Sequence, residues 1–173
     1  MPPPVGTFAA STQQTASSSQ VLYQDLELPS SGNIRCSLIY YYITFAPDFI
    51  TPPTLSLNVD NQQARIYILD PDSDPFNVTD AVLENLFHTQ PGDPIEVGYT
   101  PLNFDLTEYA GTTVRLRAAE ADNEGAFRFS IDDVTCEVVK GIPTLGQWGM
   151  IAMAGVLAIA SVLFIRKRRF HTS

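Results

Sequence analysis

An uncharged stretch near the C-terminus divides this chain of 173 residues into two parts. Residues 141–165 contain no charged side chain, and the most apolar portion, residues 148–165, would be about 27 Å long as a helix at ~1.5 Å per residue. That length approaches the ~30 Å hydrocarbon core of a bilayer, and no charged side chain in this portion favours a buried globular helix instead. The stretch therefore predicts a single transmembrane helix over residues 148–165.

The charges on either side of this helix predict its direction. Trp148 begins the apolar portion, as is typical of aromatic residues at a membrane interface. Four basic residues end it: Arg166, Lys167, Arg168 and Arg169. Basic residues flanking a membrane helix stay in the cytoplasm, so the preceding domain should lie on the opposite side.

That preceding domain is acidic. Four of the ten basic residues lie in the tail, so the remaining six and the 19 acidic residues give the rest a formal charge of −13. Such a surface repels phosphate backbones, which argues against nucleic-acid binding. The charge is consistent with solubility and also with binding of divalent cations.

Alternating apolar and polar residues predict β-strands between residues 21 and 140, after an uncharged Pro-, Ser- and Thr-rich segment, residues 1–20, that we expect to be disordered. In the predicted strand of residues 113–122, Val114 and Leu116 face one side, and Arg115 and Arg117 face the other. Roughly eight or nine such strands, separated by turns, predict an all-β antiparallel β-sandwich of the jelly-roll type.

One short helix and two strand pairings follow from the same patterns. Apolar residues at helical spacing in residues 81–87, after Thr79 and Asp80, predict one short helix. Residues 53–60 alternate like a strand and should form a hairpin with residues 64–70. Residues 99–106 should pair with residues 113–122 across the TEYAG turn.

The two cysteines, Cys36 and Cys136, lie in an early and in the last predicted strand. Their spacing excludes the CxxC motifs of redox and zinc sites. Two alternatives remain: a disulfide between neighbouring strands, which export would favour, or two separate buried thiols.

Residues 105–138, DLTEYAGTTVRLRAAEADNEGAFRFSIDDVTCEV, resemble the last strands of bacterial extracellular jelly-roll domains, which are similar to carbohydrate-binding modules and galactose-binding-like domains. The matching residues are Asp105, Ala110, Gly111, Val114, Arg115, Leu116, Arg117, Asp132, Asp133 and Val134. The resemblance implies a jelly-roll fold that binds carbohydrate or calcium. It makes Asp132 and Asp133 the candidate calcium ligands.

No residue pattern predicts catalysis, so we expect a protein without enzymatic activity. Residues 70–75 (DPDSDP) begin like a calcium loop but have Pro75 and Ala81 where an EF-hand needs Gly and Glu. Asp132 and Asp133 are strand neighbours that should point to opposite faces, which excludes a close carboxylate pair. An envelope enzyme acting on polysaccharide through Glu120 or a nearby carboxylate, and a purely structural surface protein, are the alternatives.

Residues 142–149, IPTLGQWG, resemble the IPTL-CTERM sorting signal of Gram-negative bacterial surface proteins. The matching residues are Ile142, Pro143, Thr144, Leu145, Trp148 and Gly149. Together with the apolar helix and the basic end, they make residues 141–173 a C-terminal sorting segment. The resemblance implies recognition by an exosortase-type processing enzyme. It also implies an inner-membrane protein with a periplasmic domain that reaches the cell surface after processing.

Export also requires an N-terminal signal. Residues 1–20 contain neither the basic start nor the apolar run of a signal peptide. We therefore expect the natural reading frame to begin upstream of Met1.

Overall fold

Two four-stranded antiparallel sheets make up the part of the chain that the computed structural model describes, which is residues 3, 6, 9–12 and 16–139. The strands are β1 (Ala10–Ser11), β2 (Ser18–Glu27), β3 (Asn33–Thr44), β4 (Gln62–Leu69), β5 (Val82–His88), β6 (Glu96–Asp105), β7 (Thr113–Asp122) and β8 (Phe127–Val139). Sheet A has the order β1-β8-β3-β6, and sheet B has the order β2-β7-β4-β5. The predicted all-β sandwich is confirmed.

The chain divides into two units, Met1–Val139 and Lys140–Ser173, of which the second lies outside the described residues. The predicted transmembrane helix, residues 148–165, belongs to that second unit. In the described ranges, no helix is long and apolar enough to cross a membrane. Residues 1–20 were predicted to be disordered. In the structure this segment contains β1 and the start of β2.

The core lies between the sheets and takes alternate residues of β3, β4 and β7. Ile34 and Leu38 of sheet A face Ile66 and Ile68 of sheet B, and all four are at most 1% exposed. Phe127 from β8 joins the same cluster. Burying each of these side chains stabilises the fold by about 1.5–3 kcal/mol relative to its exposure to water.

The predicted short helix is wrong, because residues 82–88 form strand β5 at the edge of sheet B. β5 pairs antiparallel with β4, and the register shifts twice, between Ile66 and Tyr67 and between Ile68 and Leu69. Each shift interrupts the two-residue repeat of the strand. The apolar residues of β5 therefore fall at a spacing that resembles a helix.

The predicted hairpin of residues 53–60 with β4 is also wrong, because residues 53–60 form a loop. The side-chain amide of Asn61 donates hydrogen bonds to the carbonyls of Thr54 (2.9 Å) and Ser56 (3.1 Å). These bonds use carbonyls that a strand would direct to a neighbouring strand. Leu55 is buried, whereas Val59 is exposed, so the alternation there does not mark a face of a sheet.

Strands β6 and β7 do not pair with each other, contrary to the prediction. β6 pairs with β3 in sheet A, and β7 lies between β2 and β4 in sheet B. The TEYAG segment between them contains a 3₁₀ helix, Thr107–Tyr109, and carries the chain from one sheet to the other. Gly111 has φ 81, a conformation that favours glycine, at the end of this crossing.

Candidate functional site

Cys36 and Cys136 are directly opposite each other on β3 and β8, with their Cα atoms 4.1 Å apart, and they form a disulfide. Cys36 is buried in the core, whereas Cys136 is exposed near the end of β8. The bond therefore fastens the last described strand to the interior of sheet A.

The candidate calcium ligands Asp132 and Asp133 lie at a β-bulge in β8. The register with β3 shifts between Ser37 and Ile39, and Asp133 has a left-handed φ of 51. Both aspartates line one groove beside this bulge. The described residues contain no group of three His, Cys, Asp or Glu side chains that could hold a metal ion, so calcium binding stays a prediction.

The aspartates of the 70–75 loop act as local turn caps. The carboxylate of Asp70 accepts a hydrogen bond from the amide of Asp72 at 2.9 Å. The carboxylate of Asp74 accepts one from the amide of Phe76, also at 2.9 Å. Such bonds stabilise tight turns, which accounts for these acids without a metal ion.

Glu120 lies at the floor of a second groove, of about 330 Å³, between β1 and β8 on one side and β2 and β7 on the other. Its side chain is 0% exposed, and neither carboxylate oxygen makes a hydrogen bond to the described residues. Burial raises the pKa of Glu120 to about 7. Asp122, on the same face of β7, is also buried, so neither carboxylate is presented to a sugar bond.

The outer face of sheet B carries a cluster of basic and aromatic side chains that the sequence did not identify as a unit. Arg117 was expected to face outward but is 0% exposed, with its guanidinium 4.9 Å from the ring centre of Tyr67. Arg65 lies against the same ring and donates a hydrogen bond to the carbonyl of Pro52 at 2.9 Å. The loop that contains Pro52 thus lies over Arg65, which is 5% exposed.

Tyr23, at the exposed margin of the same face, forms an open aromatic platform. The guanidinium of Arg115 lies 4.4 Å from its ring centre. Arg115 donates two hydrogen bonds to Asp25, of 2.6 and 2.9 Å, and one to the carbonyl of Ser73. The hydrogen bonds from Arg115 lower the pKa of Asp25. These bonds hold the guanidinium over one side of a tyrosine residue that remains 48% exposed.

The side chains of Tyr40, Tyr41, Tyr42 and His88 all contact other residues of the domain. Tyr40 and Tyr42 pack with the core, and Tyr41, the outward member of the YYY run, is buried against Tyr99 at 5.5 Å. His88 lies in β5, where its Nδ1 atom is 2.9 Å from the side-chain nitrogen of Asn85, and burial lowers its pKa. In the described part of the chain, the His88 ring is hydrogen-bonded to the side chains of Asn85 and Gln90, which are amides and not the carboxylate that orients a general base.

Solved structures with a related arrangement of strands come from binding and adhesin domains. TmCBM61 in complex with β-1,4-galactotriose is 13% identical, covering 79% of this chain and 74% of that chain, with a TM-score of 0.44. The K1 cleaved adhesin domain of Lys-gingipain from Porphyromonas gingivalis W83 is 12% identical, covering 76% and 75%, with a TM-score of 0.43. The K3 adhesin domain is 15% identical, covering 79% and 81%, with a TM-score of 0.41. At these values the similarity says nothing about a shared ligand.

No curated protein matches the chain. The IPTL-CTERM motif, in contrast, matches residues 140–169, which begin directly after β8 and contain every residue predicted for the sorting signal and its basic end. The match confirms the resemblance identified from residues 142–149. This chain therefore carries a C-terminal IPTL-CTERM motif behind an antiparallel β-sandwich.

Proposed function

We propose that this is an exported, non-catalytic protein of the bacterial cell envelope, inserted in the inner membrane through residues 148–165 and then sorted to the cell surface. The match of residues 140–169 to the IPTL-CTERM motif carries the proposal. The disulfide between Cys36 and Cys136 supports it, because disulfides persist in the oxidising space outside the cytoplasm. An exosortase-type enzyme is the partner that the resemblance implies.

The mature C-terminus tests the sorting step. The protein is expressed from its own locus in a Gram-negative host with an exosortase-type enzyme, and its C-terminal peptide is identified by mass spectrometry. We expect the wild-type protein to lack Arg166–Arg169. A Pro143→Ala/Trp148→Ala variant should retain them, whereas Gln147→Ala, in the variable part of the motif, should be processed like wild type. A wild-type protein that keeps its basic end on the cell would be a permanent anchor, and the sorting proposal would be abandoned.

For the domain itself we propose carbohydrate binding at the Tyr23 platform. An exposed ring stacked on a fixed guanidinium offers a sugar an apolar face next to charged hydrogen-bonding groups. The buried positions of Glu120 and Asp122 favour binding without hydrolysis.

A glycan array probed with the full chain in detergent micelles tests this proposal. Tyr23→Ala should abolish binding, and Phe45→Ala, which removes another exposed aromatic ring, should not. If no glycan binds, the purely structural alternative is the better account of the domain. If both variants bind like wild type, the Tyr23 platform is not the binding site.

A further inference from the structure

The guanidinium of Arg117 is buried without a hydrogen-bond acceptor. The residue is 0% exposed, and none of its side-chain nitrogens donates a hydrogen bond to another residue of the described chain. Burial lowers the pKa of Arg117 to about 10, so the group stays protonated at neutral pH. A full positive charge therefore lies inside the domain, and its N–H groups are unused.

The strands on either side of β7 bring aromatic rings to Arg117. In the register of sheet B, Arg117 lies directly between Tyr23 of β2 and Tyr67 of β4. Its guanidinium is 4.9 Å from the ring centre of Tyr67, a distance at which the face of the ring attracts a cation. This contact compensates part of the charge, but the N–H groups still need an oxygen or an anion as acceptor.

The carboxylate in the adjoining row of the sheet is already bonded elsewhere. Asp25 pairs with Arg115, and both of its oxygens accept hydrogen bonds from that guanidinium, at 2.6 and 2.9 Å. The ion pairs among the described residues join Arg115 to Asp25 and Arg35 to Asp105. In this part of the chain, no carboxylate therefore neutralises Arg117.

A second guanidinium increases the positive charge at this point. Arg65 lies 5.5 Å from the centre of the same Tyr67 ring. Besides burial, repulsion from Arg65 lowers the pKa of Arg117. The nitrogens of Arg65 donate hydrogen bonds to uncharged acceptors, which are the side chains of Gln63 and Tyr67 and the carbonyl of Pro52. Two positive charges thus share one ring, and neither of them has a negative partner among the described residues.

Two loops lie over this face of sheet B and limit the size of a ligand. The loop of residues 70–81 supplies a carbonyl to Arg115, and the loop of residues 51–61 supplies one to Arg65. Arg117 occupies the row of the sheet between those of Arg115 and Arg65. Because Arg117 is itself 0% exposed, an anion as large as phosphate would have to displace a loop, whereas a single halide ion needs space for one atom only.

We propose that Arg117 binds a small monovalent anion, of the size of chloride, beneath these loops. A buried charge without a partner strongly destabilises a fold, and an anion that accepts the free N–H groups turns it into a hydrogen-bonded ion pair. The charge of Arg65 attracts the same anion to the shared ring. Since the unfolded chain lacks this site, the bound anion stabilises the folded domain by mass action.

Replacement of sodium gluconate by sodium chloride at constant ionic strength tests the proposal, because gluconate is too large for an enclosed site. The full chain is unfolded with urea in detergent micelles at chloride concentrations up to about 1 M. Above the dissociation constant, the unfolding equilibrium constant of wild type should fall about tenfold for each tenfold rise in chloride. Arg117→Met keeps a long apolar stem without the charge and should unfold alike in both salts. Arg128→Met removes a half-buried arginine from β8, in the other sheet, and should respond to chloride like wild type.

Bromide supplies a second readout that needs no variant. Crystals of the wild-type chain grown in bromide should show an anomalous scattering peak in contact with the Arg117 guanidinium. Equal unfolding of wild type in the two salts overturns the proposal, and a bromide peak in that case marks an adventitious ion only. A chloride response that Arg117→Met retains, or that Arg128→Met loses, overturns it as well, because the anion would then act elsewhere or by general screening. If Arg117→Met does not fold, a bromide map without a peak at Arg117 overturns it.

Discussion

Glu120 should make the stability of the domain depend on pH near neutrality. Its side chain is 0% exposed, and burial raises its pKa from 4.5 to about 7. The folded protein therefore keeps this proton up to about pH 7, whereas the unfolded chain releases it near pH 4.5. Because the folded state binds more protons between these values, the free energy of unfolding must fall as the pH rises through this window.

The size of the effect follows from the pKa difference. At ~1.4 kcal/mol per pKa unit, the rise from 4.5 to about 7 corresponds to roughly 3 kcal/mol lost above pH 7. Glu120→Gln keeps the shape of the side chain but carries no charge. The variant should be more stable than wild type by about 3 kcal/mol at pH 8, and this difference should vanish near pH 4.5.

Urea unfolding of the full chain in detergent micelles, followed by circular dichroism from pH 4.5 to 8, measures this difference. Glu27→Gln removes the same charge from an exposed position on β2 and should change stability little at any pH. Equal stability of wild type and Glu120→Gln at pH 8 would refute the reasoning, since the carboxylate would then be solvated or paired. A Glu120→Gln variant that is less stable at every pH would refute it as well.

Two further perturbations test the packing of β8. Replacing both Cys36 and Cys136 with alanine should lower the free energy of unfolding by about 4 kcal/mol, because the bond closes a separation of 100 residues; dithiothreitol should destabilise wild type but leave the double variant unchanged. Gly32→Ala should cost at least about 1 kcal/mol, since Gly32 has φ 101 and an added Cβ would lie 2.4 Å from Cγ1 of Val138. Gly98→Ala, with no atom within 4 Å of its added Cβ, is the matched control, and equal melting temperatures for the two variants would contradict the second expectation.

The class of fold and the faces of its central strands were predictable from sequence. In β7, Val114 and Leu116 enter the core while Arg115 and Arg117 point away from it, as the alternation indicated. The depth of burial was not predictable. Arg117 is 0% exposed, and its neighbour Arg65 is covered by the distant loop that contains Pro52, a contact that no local sequence pattern indicates.

The partners of the strands were harder to predict than the strands. Pairing depends on which elements meet after a crossing between sheets, and the TEYAG segment proved to be such a crossing rather than a hairpin turn. β5 was mistaken for a helix because two register shifts against β4 disturb its alternation. The groove beside β8 was missed for a related reason, since Leu22 and Val134 are 112 positions apart and meet only through the topology.

The position of the disulfide matters for how the domain would respond to force. A load applied at Val139 pulls on the end of an antiparallel pair, where hydrogen bonds open one after another rather than all at once. Only two residues, Glu137 and Val138, lie between Cys136 and Val139, so the opening of the pair reaches the covalent bond almost immediately. From there the tension passes into β3, which is paired on both sides, with β8 and with β6. A domain pulled from its C-terminal end would therefore bear the load through a strand that is paired on both sides. Reduction of the disulfide would lower the force needed to unfold the domain.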